Sequence, residues 1–328
     1  MLPKRLRRRL RQLDDGPAEP PQEAPEREEA AADDGAGSGG DAERSAAVRA
    51  GEPGASRERL AEQAHRLRES RPPPEASRSR EIEPPSGPLE DLVPGESIEG
   101  EHGSYWLVQG AAAELLPHGP DVLADLERVV ASIDAAEKGY LAHLRGVPPR
   151  HLALLDTETG GLSSAPVFLV GMILWESDAA GEALSVQMLA RDYAEERAVL
   201  AEGARLLAGR RVLMTYNGRS FDIPMMRERM IYHALGACPE PPAHVDLLHA
   251  IRARFRGRWE DCRLQTVERH LCGRSRWADI DGAEIPEAWH QFVHTGDAGR
   301  MAQVLEHNRL DLITMLEVLP YLMDPDCE

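Results

Sequence analysis

Asp156 and Glu158 stand two residues apart in LLDTETGGL, a run that reads as the end of a β-strand. Side chains at i and i+2 of a strand share a face, so both carboxylates project together. Close carboxylates repel one another, and a divalent cation is the usual remedy. Two acids at a solvated strand end would give the same letters. Asp222 follows a second strand-like run in TYNGRSFDIPMM, where a helix N-cap reads equally well. Asp311 lies in the helical segment EHNRLDLITML, with His307 four residues earlier on the same helix face. A surface His–Asp pair would have that spacing too. Taken in order, however, the set meets the needs of two-metal phosphodiester hydrolysis. In that chemistry cations about 3.5–4 Å apart stabilise the attacking and leaving oxygens. A histidine titrating near neutrality is suited to take the proton from water.

These residues must be brought together by the elements that carry them. HLALLDTE, PVFLVGMILW and LSVQMLARD read as three successive strands joined by Gly-, Ser- and Asp-containing turns. AEERAVLAEGARLLAG is an amphipathic helix closed by Gly209, and RVLMTYN is a fourth strand, expected parallel to the first. Helices are expected at about 222–235, 245–256, 264–272 and 299–322. Upstream, LEDLVPGESIEGEHGSYWLVQG reads as a turn-rich lead-in followed by one short strand. A segment with Val122, Leu123, Leu126, Val129, Val130 and Ile133 at helical spacing comes next.

Composition divides the 328 residues unevenly. Hydrophobic content of 42% suffices for a core, while 5% aromatics points to a polar portion diluting it. Residues 1–86 are rich in Pro, Gly, Ala, Glu, Arg and Ser and are expected to form a disordered, low-complexity tail. Residues 87–146 are expected to be a small ordered extension on the domain of residues 147–325. Gly35, Gly37, Gly39 and Gly40 lack the strand and helix of a nucleotide loop and read as linker. The opening MLPKRLRRRLRQL reads as a solvated basic tail, and a short helix fits about 57–69. Cys238, Cys262, Cys272 and Cys327 show no CxxC pairing, which favours free thiols and a reducing, cytoplasmic setting. No apolar run is long enough for a membrane span. A net charge of −18 argues against tight non-specific binding to nucleic acid, although cations bound by acids would offset part of it.

LDTETGGL, TYNGRSFDIPMM and HNRLD resemble the three exonuclease motifs of the DEDD superfamily in its HxxxD (DEDDh) form, and the chain is most similar to the YprB-type ribonuclease H-like domain. PVFLVGMILW, HVDLLHAIRARF, LQTVERHLCG and DGAEIPEAW extend the likeness to about residues 88–323. The resemblance implies an α/β fold, with a ribonuclease H-like mixed sheet of five or so strands flanked by helices. It implies Asp156 bridging two Mg²⁺ or Mn²⁺ ions, Glu158 and Asp311 completing one site, Asp222 holding the second, and His307 as general base. Thr159, Asn217 and Phe221 would contact the substrate, the last two at its terminal nucleotide. The implied activity is 3′→5′ exonuclease action on single-stranded DNA or RNA.

Further residues stand apart from that set. Arg252, Arg254, Arg256, Arg258 and Arg263 are interleaved with Phe255 and Trp259, so Arg252 and Arg256 join the substrate-binding candidates. A solvated helix face over two core aromatics reads equally well. Asp246 in HVDLL resembles a family position near the site, and an N-cap reads at least as well. His290 and His294, four apart on a helix, lack a third ligand and suit packing or surface roles. Two other readings remain: a structure-specific endonuclease using the same site, and a catalytically silent binding module whose tail recruits a protein partner.

Overall fold

Residues 85–115, 122–123, 128, 130, 133, 139–178, 182–276 and 279–323 are described by the computed structural model. The tail with its basic opening, its glycine run and the helix expected near 57–69 lies outside them, apart from its last two residues. So do Leu126, Val129 and Cys327.

The centre of the fold is an antiparallel meander of β3 (Leu152–Thr159), β4 (Val167–Trp175) and β5 (Ala183–Leu189). β4 and β5 are buried along their whole length, β4 with the unbroken apolar sequence of a strand covered on both faces and β5 with Ser185 and Gln187 among its apolar residues. Helix α3 (Glu196–Leu207) then crosses the sheet, and β6 (Val212–Thr215) pairs in parallel with β3. α3 ends two residues before Gly209, whose φ of +79° is the left-handed conformation expected there.

Two strands were not expected from the sequence. The charged segment read as a turn-rich lead-in forms β1 (Glu96–Gly100), which makes a hairpin with β2 (Gly103–Ala111), and β2 pairs with β5. At the other edge, β7 (Ala243–Asp246) lies parallel to β6. The sheet therefore has seven strands in the order β1-β2-β5-β4-β3-β6-β7, rather than five. The five strands from β5 to β7 are the meander and its parallel neighbours, and the hairpin extends them beyond β5.

The remaining helices are α1 (Leu89–Leu92), α2 (Ala112–Leu115), α4 (Asp222–Tyr232), α5 (Leu247–Phe255), α6 (Leu264–Val267), α7 (Ile285–Thr295) and α8 (Gly299–Met323). α6 runs into a π-helical turn over Glu268–Cys272, where one continuous helix was expected. Helix α3 and helix α8 cover opposite faces. A Cβ on Gly203 of α3 would touch Val170, whereas one on Gly171 would strike Asn308 of α8, and neighbouring strand residues face opposite ways. On the α8 side, Leu152, Leu154, Ile173, Trp175, Val212 and Met214 form one buried cluster with Leu312, Ile313, Leu316 and Leu319. Leu123, Val130 and Ile133 join that cluster. Cys238, Cys262 and Cys272 are free thiols. Among the described residues no helix is long and apolar enough to cross a membrane.

Candidate active site

The alternation of β3 sets the first two acids. Leu152 and Leu154 point into the core under α8, so Asp156 and Glu158, continuing that face, meet the same helix where it nears the surface. Asp156 lies opposite Gly171 of β4 in the strand register. The missing side chain there is filled by Asn308 of α8, which is fully buried. Asn308 Nδ2 donates to Asp156 Oδ2 at 2.7 Å and to the Asp156 carbonyl at 3.2 Å. Gln187 of β5 fixes the amide in turn, donating to Asn308 Oδ1 at 2.9 Å. A Cβ on residue 171 would sit 2.0 Å from Asn308 Oδ1, so this contact needs glycine.

Asp222 arrives from the other side of β3. It is the first residue of α4, with Phe221 in the N-cap position, and its side chain does not cap the helix. Instead Asp222 Oδ1 accepts from the Thr157 N–H at 2.8 Å and the Thr157 hydroxyl at 2.7 Å. The turn that delivers it is built on Asn217, at φ +69°, whose carbonyl accepts from the Ser220 and Phe221 N–H groups. Gly218 in that turn lies so close to Thr215 that a Cβ would meet it at 2.5 Å.

His307 and Asp311 come from one face of α8. His307 Nδ1 donates to Asp279 Oδ1 at 2.9 Å, which leaves Nε2 facing Asp311 Oδ2 at 3.8 Å. The guanidinium of Arg276, only 4% exposed, ties this side of the site together. Its Nη2 donates to Asp311 Oδ1 at 2.5 Å and its Nε to Glu268 Oε2 at 2.6 Å, while Nη1 lies 3.4 Å from Asp279 Oδ2. Glu268 is fully buried and also accepts from Arg274, which reaches Glu317 at 2.8 Å and the Thr314 hydroxyl at 2.7 Å.

The charges of the four acids act on one another. Burial pushes the Asp156 carboxyl well above the usual range, and the charges of Asp311, Glu158 and Asp222 add to it. Burial likewise raises Glu158, partly countered by His307 but reinforced by Asp311, Asp222 and Asp279, to about 8. Burial raises Asp222 to about 6 despite its hydrogen bonds from Thr157. For His307 burial acts downward, but the bond to Asp279 and the charges of Asp311 and Glu158 outweigh it and raise the imidazole to about 9. Asp156, Glu158 and Asp222 are thus reluctant to ionise even with Arg276 and His307 nearby, and their hard oxygen donors suit a hard divalent cation such as Mg²⁺ or Mn²⁺. Three of the acids are turned onto donors, Asp156 onto Asn308, Asp222 onto Thr157 and Asp311 onto Arg276. Among the described residues no three His, Cys, Asp or Glu side chains already stand as a metal cage. Loading would therefore redirect carboxylate oxygens toward the ion.

The other candidate residues fall into two groups. Thr159 is buried and its hydroxyl donates to the Gly161 carbonyl at 2.7 Å, shaping the loop after β3. Asn217 is exposed and Phe221 half-buried beside Asp222. Arg252 and Arg256 are exposed on and just after α5, where they line a recess that begins at Asn217. Phe255 is buried and stacks on the half-buried Trp259, with 4.4 Å between ring centroids, which agrees with a core role for the first ring. Asp246 is the N-cap of α5 and accepts from Leu248 N–H at 3.1 Å. His290 Nε2 donates to the Gly160 carbonyl at 2.9 Å, so its Nδ1 accepts from the Tyr193 hydroxyl, while His294 bonds its own helix. These two histidines form no ligand pair.

Asn308, Gln187, Arg276 and Asp279 are among the residues of the site that were not singled out from the sequence. Asn308 had a signal, since it directly follows His307. The other three come from distant strands and loops.

A family model described as the RNase H superfamily matches residues 153–323, more than half of the chain. A Bacillus subtilis (strain 168) protein named "Uncharacterized protein YprB" is 26% identical over 207 residues, which make up 61% of this chain and 49% of that protein. The chain thus spans about half the length of this curated relative. Among solved structures, the family B DNA polymerase from the hyperthermophilic archaeon Pyrobaculum calidifontis is similar over 54% of this chain and 25% of the polymerase, at 22% identity and a TM-score of 0.41. The chain belongs to the RNase H superfamily through a ribonuclease H-like domain of the YprB type.

Proposed function

We propose that this protein is a metal-dependent nuclease that hydrolyses phosphodiester bonds of single-stranded DNA or RNA, taking nucleotides from the 3′ end. The observation that carries the reading is the meeting of Asp156, Glu158, Asp222 and Asp311 with His307, whose ring is held by Asp279. Asp156 would be shared between two ions, with Glu158 and Asp311 completing one site and Asp222 serving the other. Bound Mg²⁺ or Mn²⁺ supplies charge for the attacking and leaving oxygens and lowers the pKa of water.

The chain's own groups supply orientation and proton transfer. Asn308 and Gln187 hold the Asp156 carboxylate against its neighbours' repulsion. Asp279 fixes the His307 tautomer, so that Nε2 is the atom that accepts the proton from water. Neutralising Glu158 and Asp311 removes part of the field that keeps His307 protonated, which frees that nitrogen to act. Water oxygen then bonds to phosphorus and the 3′-oxygen leaves, giving a nucleoside 5′-monophosphate. Thr159, Asn217 and Phe221 surround the position for the terminal nucleotide, Thr159 by shaping its loop.

The test is digestion of 5′-labelled and 3′-labelled linear oligonucleotides, in matched DNA and RNA, with Mg²⁺, Mn²⁺ or EDTA. Release of 3′-terminal mononucleotides, stopped by EDTA and lost in Asp156→Ala, is expected. A circular single strand should survive. Equal activity of wild type and Asp156→Ala, or none with any divalent metal, overturns the reading.

A further inference from the structure

Beside the acid cluster lies a recess of about 680 Å³ whose walls are Tyr216 and Asn217 on one side and the end of α5 with the following loop on the other. Its geometry is fixed by a single buried carboxylate. Asp246, 1% exposed, accepts from Asn217 N–H at 2.8 Å and Arg219 N–H at 3.2 Å while capping α5. The turn that carries Asp222 and the helix that carries Arg252 are thereby locked together. The far wall is stiff as well. Trp259 is stacked between Phe255 and His270, and the Tyr216 hydroxyl donates to the Cys262 carbonyl at 2.5 Å.

The charges around this recess do not cancel. Glu260 is taken up by Arg269 and His270, and Asp261 by Arg263 at 3.6 Å and by that residue's N–H. Arg254 caps the end of α8 by donating to the Tyr321 and Leu322 carbonyls. Arg252 and Arg256 also line the recess, yet the guanidinium of neither has a hydrogen bond or ion pair among the described residues. In a chain of net charge −18, two uncompensated guanidiniums on one wall are an invitation to an anion. Guanidinium matches phosphate with two parallel hydrogen bonds and reads no base. The Phe221 N–H bonds the Asn217 carbonyl, one helical turn from the recess to the residue before Asp222. The recess therefore opens at the turn that carries Asp222.

We propose that this recess is a backbone subsite, in which Arg252 and Arg256 hold phosphodiester groups of a single strand upstream of the bond that is cut. The proposal rests on the nuclease reading for where the strand's end lies. It adds a consequence: the protein grips oligonucleotides and not mononucleotides, whatever their sequence.

The experiment measures binding without cleavage, by fluorescence anisotropy of fluorescein-labelled oligothymidylates in EDTA over a range of salt. Wild type should bind a 12-mer at least ten-fold tighter than a dinucleotide. Arg252→Gln/Arg256→Gln should lose about ten-fold of the 12-mer affinity, and its log–log salt slope should fall by about 1.4, or ~0.7 for each phosphate contact in a single strand. Arg197→Gln, which removes an exposed charge from α3, should change neither. An unchanged affinity and slope in the double variant overturns the subsite, as does equal binding of dinucleotide and 12-mer by wild type. Because no turnover is needed, a wild type that binds in this way but cuts nothing would refute the nuclease reading and leave the subsite standing.

Discussion

Two residues that are not themselves candidate ligands decide how Asp156 is aimed. Asn308 donates to its carboxylate, and Gly171 leaves the space that Asn308 fills. Outer-shell partners of metal-ligating groups typically account for about 10–100-fold in metal affinity or activity. Asn308→Ala should therefore lower kcat/KM within that range and raise the Mg²⁺ concentration for half-maximal rate. Gly171→Ala removes no polar atom, yet its new methyl would displace the amide, so it should show the same two changes in the same titration. Asp279 acts on the other partner. Its hydrogen bond and charge help raise His307, so Asp279→Asn should lower the imidazole pKa. The acidic limb of the pH–rate profile should then move to lower pH while the maximal rate falls through lost ring orientation. An acidic limb that stays in place would show that His307 is not the titrating base. The acids themselves were readable from strand and helix spacing, because each sits on an element with a clear period. Their supporting residues were not, because Gln187, Arg276 and Asp279 acquire their roles only when β5 and the latter two residues come to lie against α8.

At the scale of elements, the π-helical turn after α6 packs Leu271 and Cys272 into the core with α8, and a buried ionic group fastens the two further. Glu268 accepts from both Arg274 and Arg276 in a buried setting. Removing one member of a buried ionic group typically costs about 3–5 kcal/mol, because its partners stay buried and uncompensated. Glu268→Ala should lower the stability in urea by that order and loosen Arg276 from Asp311. The meander, α3, β6 and α8 were legible because long apolar periods announce them. β7 was not, since its four residues end on an Asp that signals a helix start. In HVDLL the cap signal is genuine, and it hides the strand in front of it. β1 escaped for a different reason: ESIEG has the composition of an edge, with both faces of the strand largely exposed. A strand of that kind is defined by its partner, and nothing in its own period reveals it.

For the molecule as a whole, the acid cluster makes stability depend on pH in a defined direction. Glu158 and His307 hold their protons in the folded chain up to about 8 and about 9, against ordinary values of 4.5 and 6.5. The folded state thus binds more protons than the unfolded chain across that window, so stability must fall as pH rises through it. In EDTA the melting temperature should drop from pH 5 to pH 9, with a shallower slope in Asp156→Asn. Mg²⁺ should raise it more at pH 8 than at pH 6, since the ion competes with protons for the same oxygens. A flat profile in EDTA would contradict the clustered acids. The β1–β2 hairpin bears on a practical matter of the same scale. It covers β5, a strand buried from end to end, and leaves as the free margin a five-residue strand carrying Glu96 and Glu99. Short, acidic margins discourage strangers from adding a strand, whereas a long apolar one recruits them. A truncated protein starting at residue 147 would keep every proposed metal ligand, yet it should elute as dimers or larger species in size-exclusion chromatography. The hairpin is, in effect, what keeps one copy of this sheet from being completed by another.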